Sequence, residues 1–314
     1  MPHRAAPPGP WGIIKAAFLL PASRFPALTE PIITTSLELH AGELRLALRP
    51  DLGGCIAGLW LGDDAVLRST EPAALATSRL SGCYPLVPYS GRLGYRRFRW
   101  LGQSYTTQPN FDDNPHSVHG VAWQRPWAEV RSSATEAELA CVHSPDEHWP
   151  FAFTLRQRFV LTPGALEVQC HFTNDAPQPQ PVGLGWHPYF PKRARSRLHI
   201  ELSERWDSDA IGLSTHTVPQ PGIVGDVADL AFDHCFEGWR GAARIDDEKL
   251  AMRLTSSLPY LVVFTPTTKP YYCVEPVSHV GNAIQMADPA AHGLRAVAPG
   301  ASFEAWMKLE VAPS

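Results

Sequence analysis

From residue 36 onward, apolar side chains recur at every second position. Leu37 and Leu39 precede Ala41-Gly42-Glu43, and Leu44, Leu46 and Leu48 follow. Successive side chains of a strand point to opposite faces, so this pattern predicts two half-buried strands joined by a tight turn. The clearest case runs through Phe151, Phe153, Leu155, Gln157, Phe159 and Leu161, turns at Thr162-Pro163-Gly164-Ala165, and returns through Leu166, Val168, Cys170 and Phe172. A third hairpin is predicted to turn at Leu101-Gly102-Gln103, between Phe98–Trp100 and Tyr105. Leu198 to Leu202, Leu261 to Phe264, and the series Phe303, Ala305, Met307, Leu309 and Val311 predict further strands. On the last of these, Glu304 falls on the face turned away from the core. Helical periodicity is scarce, and Pro72, Pro145, Pro177, Pro179, Pro181, Pro219 and Pro221 punctuate the chain between strand candidates. No fixed-period repeat is present. The predicted fold class is all-β and mainly antiparallel, a single domain of two packed sheets over residues 36–314.

Residues 1–35 break this pattern and read as a flexible N-terminal extension rich in Pro, Ala and Arg. The apolar stretch Trp11 to Ala22 is interrupted by Lys15; it is too short for a membrane span and lacks a clean small-residue cleavage site. Charged residues make up 18% of the chain, below the usual ~25%, and the net charge of −4 is scattered, so neither nucleic acid nor an anionic membrane is an expected partner. The six cysteines form no CxxC motif and sit mostly in apolar runs; they read as small buried hydrophobes in a reduced, cytoplasmic setting. Walker-type loops, dinucleotide fingerprints and nucleophile elbows are missing from the sequence. Gly183-Leu184-Gly185 continues into Trp-His-Pro, where the proline argues against the glycine–helix arrangement that phosphate binding needs.

Five segments could carry chemistry. Pro181 to Phe190 reads as a strand stopped by Pro188, with Val182, Leu184 and Trp186 packed inward and Gly183, Gly185 and His187 on the other face; His187 either faces a ligand or is a core histidine at a strand end followed by a turn. Two glycines weaken a strand unless something needs the space, and here the space lies beside an imidazole. Tyr271-Tyr272-Cys273-Val274-Glu275-Pro276 reads as a strand that ends at a proline, with Glu275 either a base beside aromatics or a solvated edge residue. The following Val277–Gln285 loop, with Asn282, adds no independent sign of function. In Asn114–Gly120, His116 and His119 lie three apart but have no third ligand nearby, so no metal is expected; a histidine followed by glycine can aim a neutral donor at a ligand. Arg92 lies in the glycine-flanked turn Val87–Gly94, as a fork of donors for a polar ligand or as an ordinary surface cation. Asp233 lies between aromatics in Phe232-Asp233-His234-Cys235-Phe236; it could accept from ligand hydroxyls or from backbone N–H groups at a turn.

Taken in order, Tyr84-Pro85-Leu86-Val87-Pro88-Tyr89-Ser90-Gly91-Arg92, Val118-His119-Gly120, Gly185-Trp186-His187-Pro188-Tyr189-Phe190, Phe232–Phe236 and Cys273-Val274-Glu275-Pro276 resemble the motifs of the aldose 1-epimerase (galactose mutarotase) family. The resemblance spans roughly residues 36–312. It implies a large β-sandwich of galactose-mutarotase type with an open sugar cleft. The implied activity is interconversion of the α and β anomers of a free aldose such as galactose or glucose, with no cofactor and no metal. By the same resemblance, Glu275 matches the general base and His187 the general acid, while Arg92, His119 and Asp233 match positions that hold the sugar. Where family members commonly carry Asn-Arg, this chain has Gly91-Arg92, so the asparagine's contacts are missing or supplied elsewhere; His116 is one candidate substitute.

These residue types suit the reaction. A base takes the proton of the C1 hydroxyl while an acid protonates the ring oxygen, and closure reverses the roles. A carboxylate with a reference pKa of ~4.3 is ionised at neutral pH, and a histidine near ~6.5 can donate where a neighbouring charge raises its pKa. Two alternatives accompany this expectation. A mutarotase of a phosphorylated hexose would need extra cations, with Arg96-Arg97 and Lys192-Arg193 as the basic candidates. A non-catalytic carbohydrate-binding protein is disfavoured by the presence of both Glu275 and His187.

Overall fold

The computed structural model describes residues 35–314, so the expected N-terminal extension lies, but for Thr35, outside the described residues. Each hairpin anticipated from alternation forms. Leu37–Ala41 pairs with Leu44–Arg49, and Leu39, Leu44, Leu46 and Leu48 are fully buried. Phe153–Thr162 pairs with Ala165–Asn174 over its whole length. Arg97–Trp100 pairs with Gln103–Thr106 through a turn in which Leu101 and Gly102 both have positive φ. That backbone twist matches the twist of the strands it joins.

The strand pairs are antiparallel and assemble into two large sheets. The nine-stranded sheet is centred on Ser302–Pro313, flanked by Ala165–Asn174 on one side and Leu250–Ser256 on the other. The six-stranded sheet runs in the order Tyr189–Pro191, Tyr271–Val277, Tyr260–Phe264, Asp233–Glu237, Glu204–Ser208, Ser214–Pro219. A four-stranded sheet begins with the first hairpin. One continuous apolar core joins all three, including Leu46 from the smallest, Phe153, Leu155 and Leu309 from the largest, and Val263, Tyr272 and Val274 from the six-stranded sheet. Burying such side chains at ~25 cal/mol per Å² of apolar surface is the main force holding the layers together.

Gln157 occupies an inward position in an otherwise apolar series and is buried. Its Oε1 accepts the indole N–H of buried Trp186 at 2.9 Å, so neither polar group is left unpaired. Glu304 points outward as expected; it is exposed and lies 2.8 Å from Nδ1 of His171 on the neighbouring strand.

The segment Pro181 to Phe190 departs from the expected single strand. Gln180–Val182 and Tyr189–Pro191 are separate strands in different sheets, and Gly183 to Pro188 crosses between them. Val182, Leu184 and Trp186 are buried as predicted. The space beside the two glycines is filled by protein, not open to a ligand. A Cβ on Gly183 would lie 1.9 Å from Cδ2 of His279, and one on Gly185 would lie 2.9 Å from Cγ1 of Val277 and 3.0 Å from the Pro276 carbonyl. Close approach of the Val277–His279 segment is what these positions require.

The crossing also places the histidine. Tyr189 pairs with Cys273 in an antiparallel ladder. Two residues back from Tyr189 and two on from Cys273, the same register sets His187 against Glu275.

Candidate active site

Glu275 lies on the strand Tyr271–Val277, paired with Val262, and is 3% exposed. It sits on the wall of a cavity of about 230 Å³ shared with Arg92, His119, Asp233, Phe264 and Asn282. His187, 7% exposed, stands beside Glu275 rather than on that wall, with Nε2 3.4 Å from Oε1. The five residues singled out from the sequence are therefore gathered at one place, although they come from five separate segments.

Burial sets the protonation of the central pair. It pushes the Glu275 carboxyl well above the ordinary range, with Asp233 acting the same way and Arg92 opposing. It pushes His187 well below its ordinary value, and His119 and Arg68 add to the effect. The expectation that a neighbouring charge raises the His187 pKa is not met, because burial, then His119 and Arg68, disfavour a charge there. Both shifts act in the same sense, each group's burial disfavouring its charged form.

His119 is a neutral donor. The Gly91 N–H donates to its Nδ1 at 3.1 Å, which leaves the ring proton on Nε2. Burial, then Arg92, pushes its pKa down to about 3. His119 has φ 64°, a left-handed conformation costly for a residue with a Cβ. The following Gly120 is obligatory in its own way: a Cβ there would lie 2.2 Å from the Val87 carbonyl oxygen.

Arg92 and Asp233 form the polar rim. Arg92 Nη2 lies 3.5 Å from Oδ2 of Asp233, and Nη1 donates to the Gly212 carbonyl at 3.4 Å. The Asp233 side chain is 55% exposed, so it is not the buried acid between aromatics that its neighbours suggested. It stays solvated and needs no partner to offset desolvation.

His116 does not contact the cavity. Its Nδ1 accepts the Tyr95 N–H at 2.8 Å and its Nε2 lies 3.2 Å from the Ile211 carbonyl, so both ring nitrogens are engaged in bracing loops. Asn114 and Asn282 line the cavity instead. Asn282 comes from the loop that carried no sign of function in the sequence; it adopts φ 63° and accepts the Gly94 N–H at 2.9 Å. The four basic candidates are elsewhere: Arg193 pairs with Asp247 at 2.6 Å, Lys192 donates to the Pro266 carbonyl, and neither Arg96 nor Arg97 lines the cavity.

Around His187 the structure adds residues that had no assigned role. Tyr189 stacks on the imidazole at 4.3 Å and 8°, and Tyr84 packs at 4.9 Å. Their hydroxyls lie 3.1 Å apart. Both residues sit inside the recognised motifs, which was the available signal. Among the described residues, one grouping could hold a metal ion: His187, Cys273 and Glu275, with ligand atoms within 4.8 Å of one another. Sheet register brings these three together: Glu275 and Cys273 lie two residues apart on one strand, and His187 stands opposite Glu275.

Comparison with known proteins follows the same lines. The family model for aldose 1-epimerase matches residues 35–310. The uncharacterized protein YphB of Escherichia coli (strain K12) is 30% identical over 294 residues, covering 88% of this chain and 99% of that one. A crystal structure from Escherichia coli K12, of a protein described only provisionally as an aldose 1-epimerase, superposes with a TM-score of 0.80 at 28% identity, covering 89% of this chain and 99% of that one. A galactose mutarotase-like protein of Clostridium acetobutylicum shares the fold at a TM-score of 0.78 and 18% identity, covering 89% and 95% of the two chains.

Proposed function

Because the chain belongs to the aldose 1-epimerase family, we propose that it interconverts the α and β anomers of a free aldose such as galactose or glucose. The observation that carries this reading is the contact between Glu275 and His187 at the edge of a small cavity that also holds Arg92, His119 and Asp233; we take the pair to hold one proton between them. Carboxyl plus imidazole and carboxylate plus imidazolium carry the same net charge. A sugar that donates hydrogen bonds to Glu275 draws the proton onto His187 without placing a new net charge in the interior.

From that tautomer, Glu275 takes the proton of the C1 hydroxyl and His187 gives its proton to the ring oxygen. The C1–O5 bond breaks and C1=O forms. Rotation about C1–C2 exposes the other carbonyl face, and closure returns each proton by the same route. His119 offers its Nε2 proton to a sugar oxygen, Arg92 donates from the rim, and Asp233 accepts from a hydroxyl. Asn114 and Asn282 are placed to take over from the asparagine replaced by Gly91. Each positioned acid or base contributes ~10²–10⁴-fold.

Polarimetry of freshly dissolved α-galactose and α-glucose tests the reading. Glu275→Gln and His187→Asn are each expected to lose ~10²-fold or more in kcat with the fold retained; wild-type rates in Glu275→Gln would remove the base assignment. A phosphorylated substrate is less well supported, since among the described residues that line the cavity Arg92 is the only Lys or Arg. A non-catalytic sugar binder would show saturable binding with no faster anomer exchange.

A further inference from the structure

A histidine that moves a proton ordinarily has its ring fixed by a hydrogen bond at the second nitrogen. His187 lacks one. Its Nδ1 is buried and, among the described residues, has no partner beyond its own main chain. Packing fixes the ring instead, together with the Tyr189 hydroxyl 3.4 Å from Nε2. Tyr189 lies parallel to it, and His119 meets it edge-on at 5.2 Å and 80°.

Tyr189 is itself held. The Arg68 guanidinium carbon lies 3.7 Å from the centre of the Tyr189 ring and 4.9 Å from that of Tyr271. Two groups stacked this close to one ring need its opposite faces, so the order is Arg68, Tyr189, His187. The guanidinium is anchored by Nε to the Ser81 carbonyl at 3.0 Å and by Nη2 to the Arg79 and Ser81 carbonyls, both at 2.6 Å. The Arg68 N–H donates to the Tyr189 carbonyl at 2.7 Å, which ties the two backbones together. Arg68 is absent from the cavity wall, so its route to the reacting atoms runs through Tyr189.

We propose that Arg68 is a positioning residue for the acid–base pair: clamped on two carbonyls, it holds the Tyr189 ring, and Tyr189 holds the His187 imidazole against Glu275. The kinetic consequences rest on the anomer-exchange reading; the structural one does not. Lysine cannot replace this arrangement, because it lacks the planar fork that stacks and bonds at once.

The groups facing His187 are Tyr84, His119, Tyr189, Cys273 and Glu275, with Cys83 at its main chain and Arg68 behind Tyr189. Of these, Arg68 holds the permanent charge nearest the stack, and it disfavours imidazolium. Its removal lets the His187 pKa rise, so the acid limb of the rate profile moves to higher pH.

The test uses the full chain, with Arg68→Met and Arg68→Lys. Arg68→Met is expected to lose on the order of 10–100-fold in kcat through misplacement of the imidazole, with KM little changed and the acid limb shifted up. Arg68→Lys should restore the limb but not kcat. The His187 ring resonances in a nitrogen-15 NMR spectrum should broaden or split in both variants. A merely structural role would lower Tm and leave kcat per folded molecule and the pH profile as in wild type, and that result overturns the proposal. If Arg68→Met does not fold, Arg68→Lys with wild-type kcat and sharp His187 resonances overturns it equally. If the wild-type chain shows no anomer exchange, the functional reading fails while the NMR measurement still decides whether Arg68 orders the ring.

Discussion

His119 shows how much one side chain can be asked to do. It stands in a left-handed conformation, gives up Nδ1 to the Gly91 N–H, and is kept neutral by burial and by Arg92. Asparagine tolerates that backbone but lacks the ring donor. His119→Asn should therefore raise KM for a hexose about tenfold, the value of one hydrogen bond near 1.4 kcal/mol, with a smaller change in kcat; steady-state polarimetry separates the two. The Glu275–His187 pair gives a second prediction. Productive chemistry needs one proton on the pair. Adding a second proton requires charging His187, which burial pushes down, so activity should persist below the ordinary histidine value of 6.5 before the acid limb appears. Removing the last proton requires charging Glu275, which burial pushes up, so the basic limb should lie well above the ordinary carboxyl value of 4.5. A kcat/KM profile reports both limbs for the free enzyme. A profile centred on an acid limb above 6.5 would contradict the buried-pair assignment.

At the scale of elements, the crossing from Gln180–Val182 to Tyr189–Pro191 determines the site. Gly183 is pressed against the His279 imidazole, whose Nε2 accepts the Ser90 N–H at 3.1 Å and whose Nδ1 lies 2.7 Å from the Val280 carbonyl. Gly183→Ala should destabilise the protein by about 1–3 kcal/mol, the range for overpacking. Thermal melts would show it, while anomer exchange per folded molecule should change little. The hairpins were legible in the sequence because alternation is local: Phe153 to Leu161 and Leu166 to Phe172 announce their own partners. The register that sets Tyr189 against Cys273 was not legible, because nothing near either residue records a partner so distant in the chain. For the same reason Glu275 and His187 could be named but not placed in contact. The glycines misled because an open strand face and a face covered by His279 look alike in sequence. Asp233 misled because aromatic neighbours in sequence need not enclose a side chain at the end of a strand.

Across the whole molecule, all six cysteines are free and buried, spread over the core rather than grouped into bonds. Burial pushes the Cys55 and Cys141 thiols up to about 12, so neither offers thiolate at neutral pH. A chromogenic disulfide reagent should find almost no reactive thiol in the native protein and six per chain after denaturation. Early release of one or two thiols would locate a part of the molecule that opens before the rest. The one-proton pair has a further consequence, visible only when charge is summed over the site. With one proton between its two groups the pair is electrically neutral, and the free sugar it is proposed to act on is neutral too. No net charge then approaches, forms or leaves during turnover. Ionic strength should have little hold on kcat/KM, whereas a phosphorylated substrate drawn in by a cation would lose rate steadily as salt shortens the Debye length from ~30 Å at 0.01 M to ~8 Å at 0.15 M.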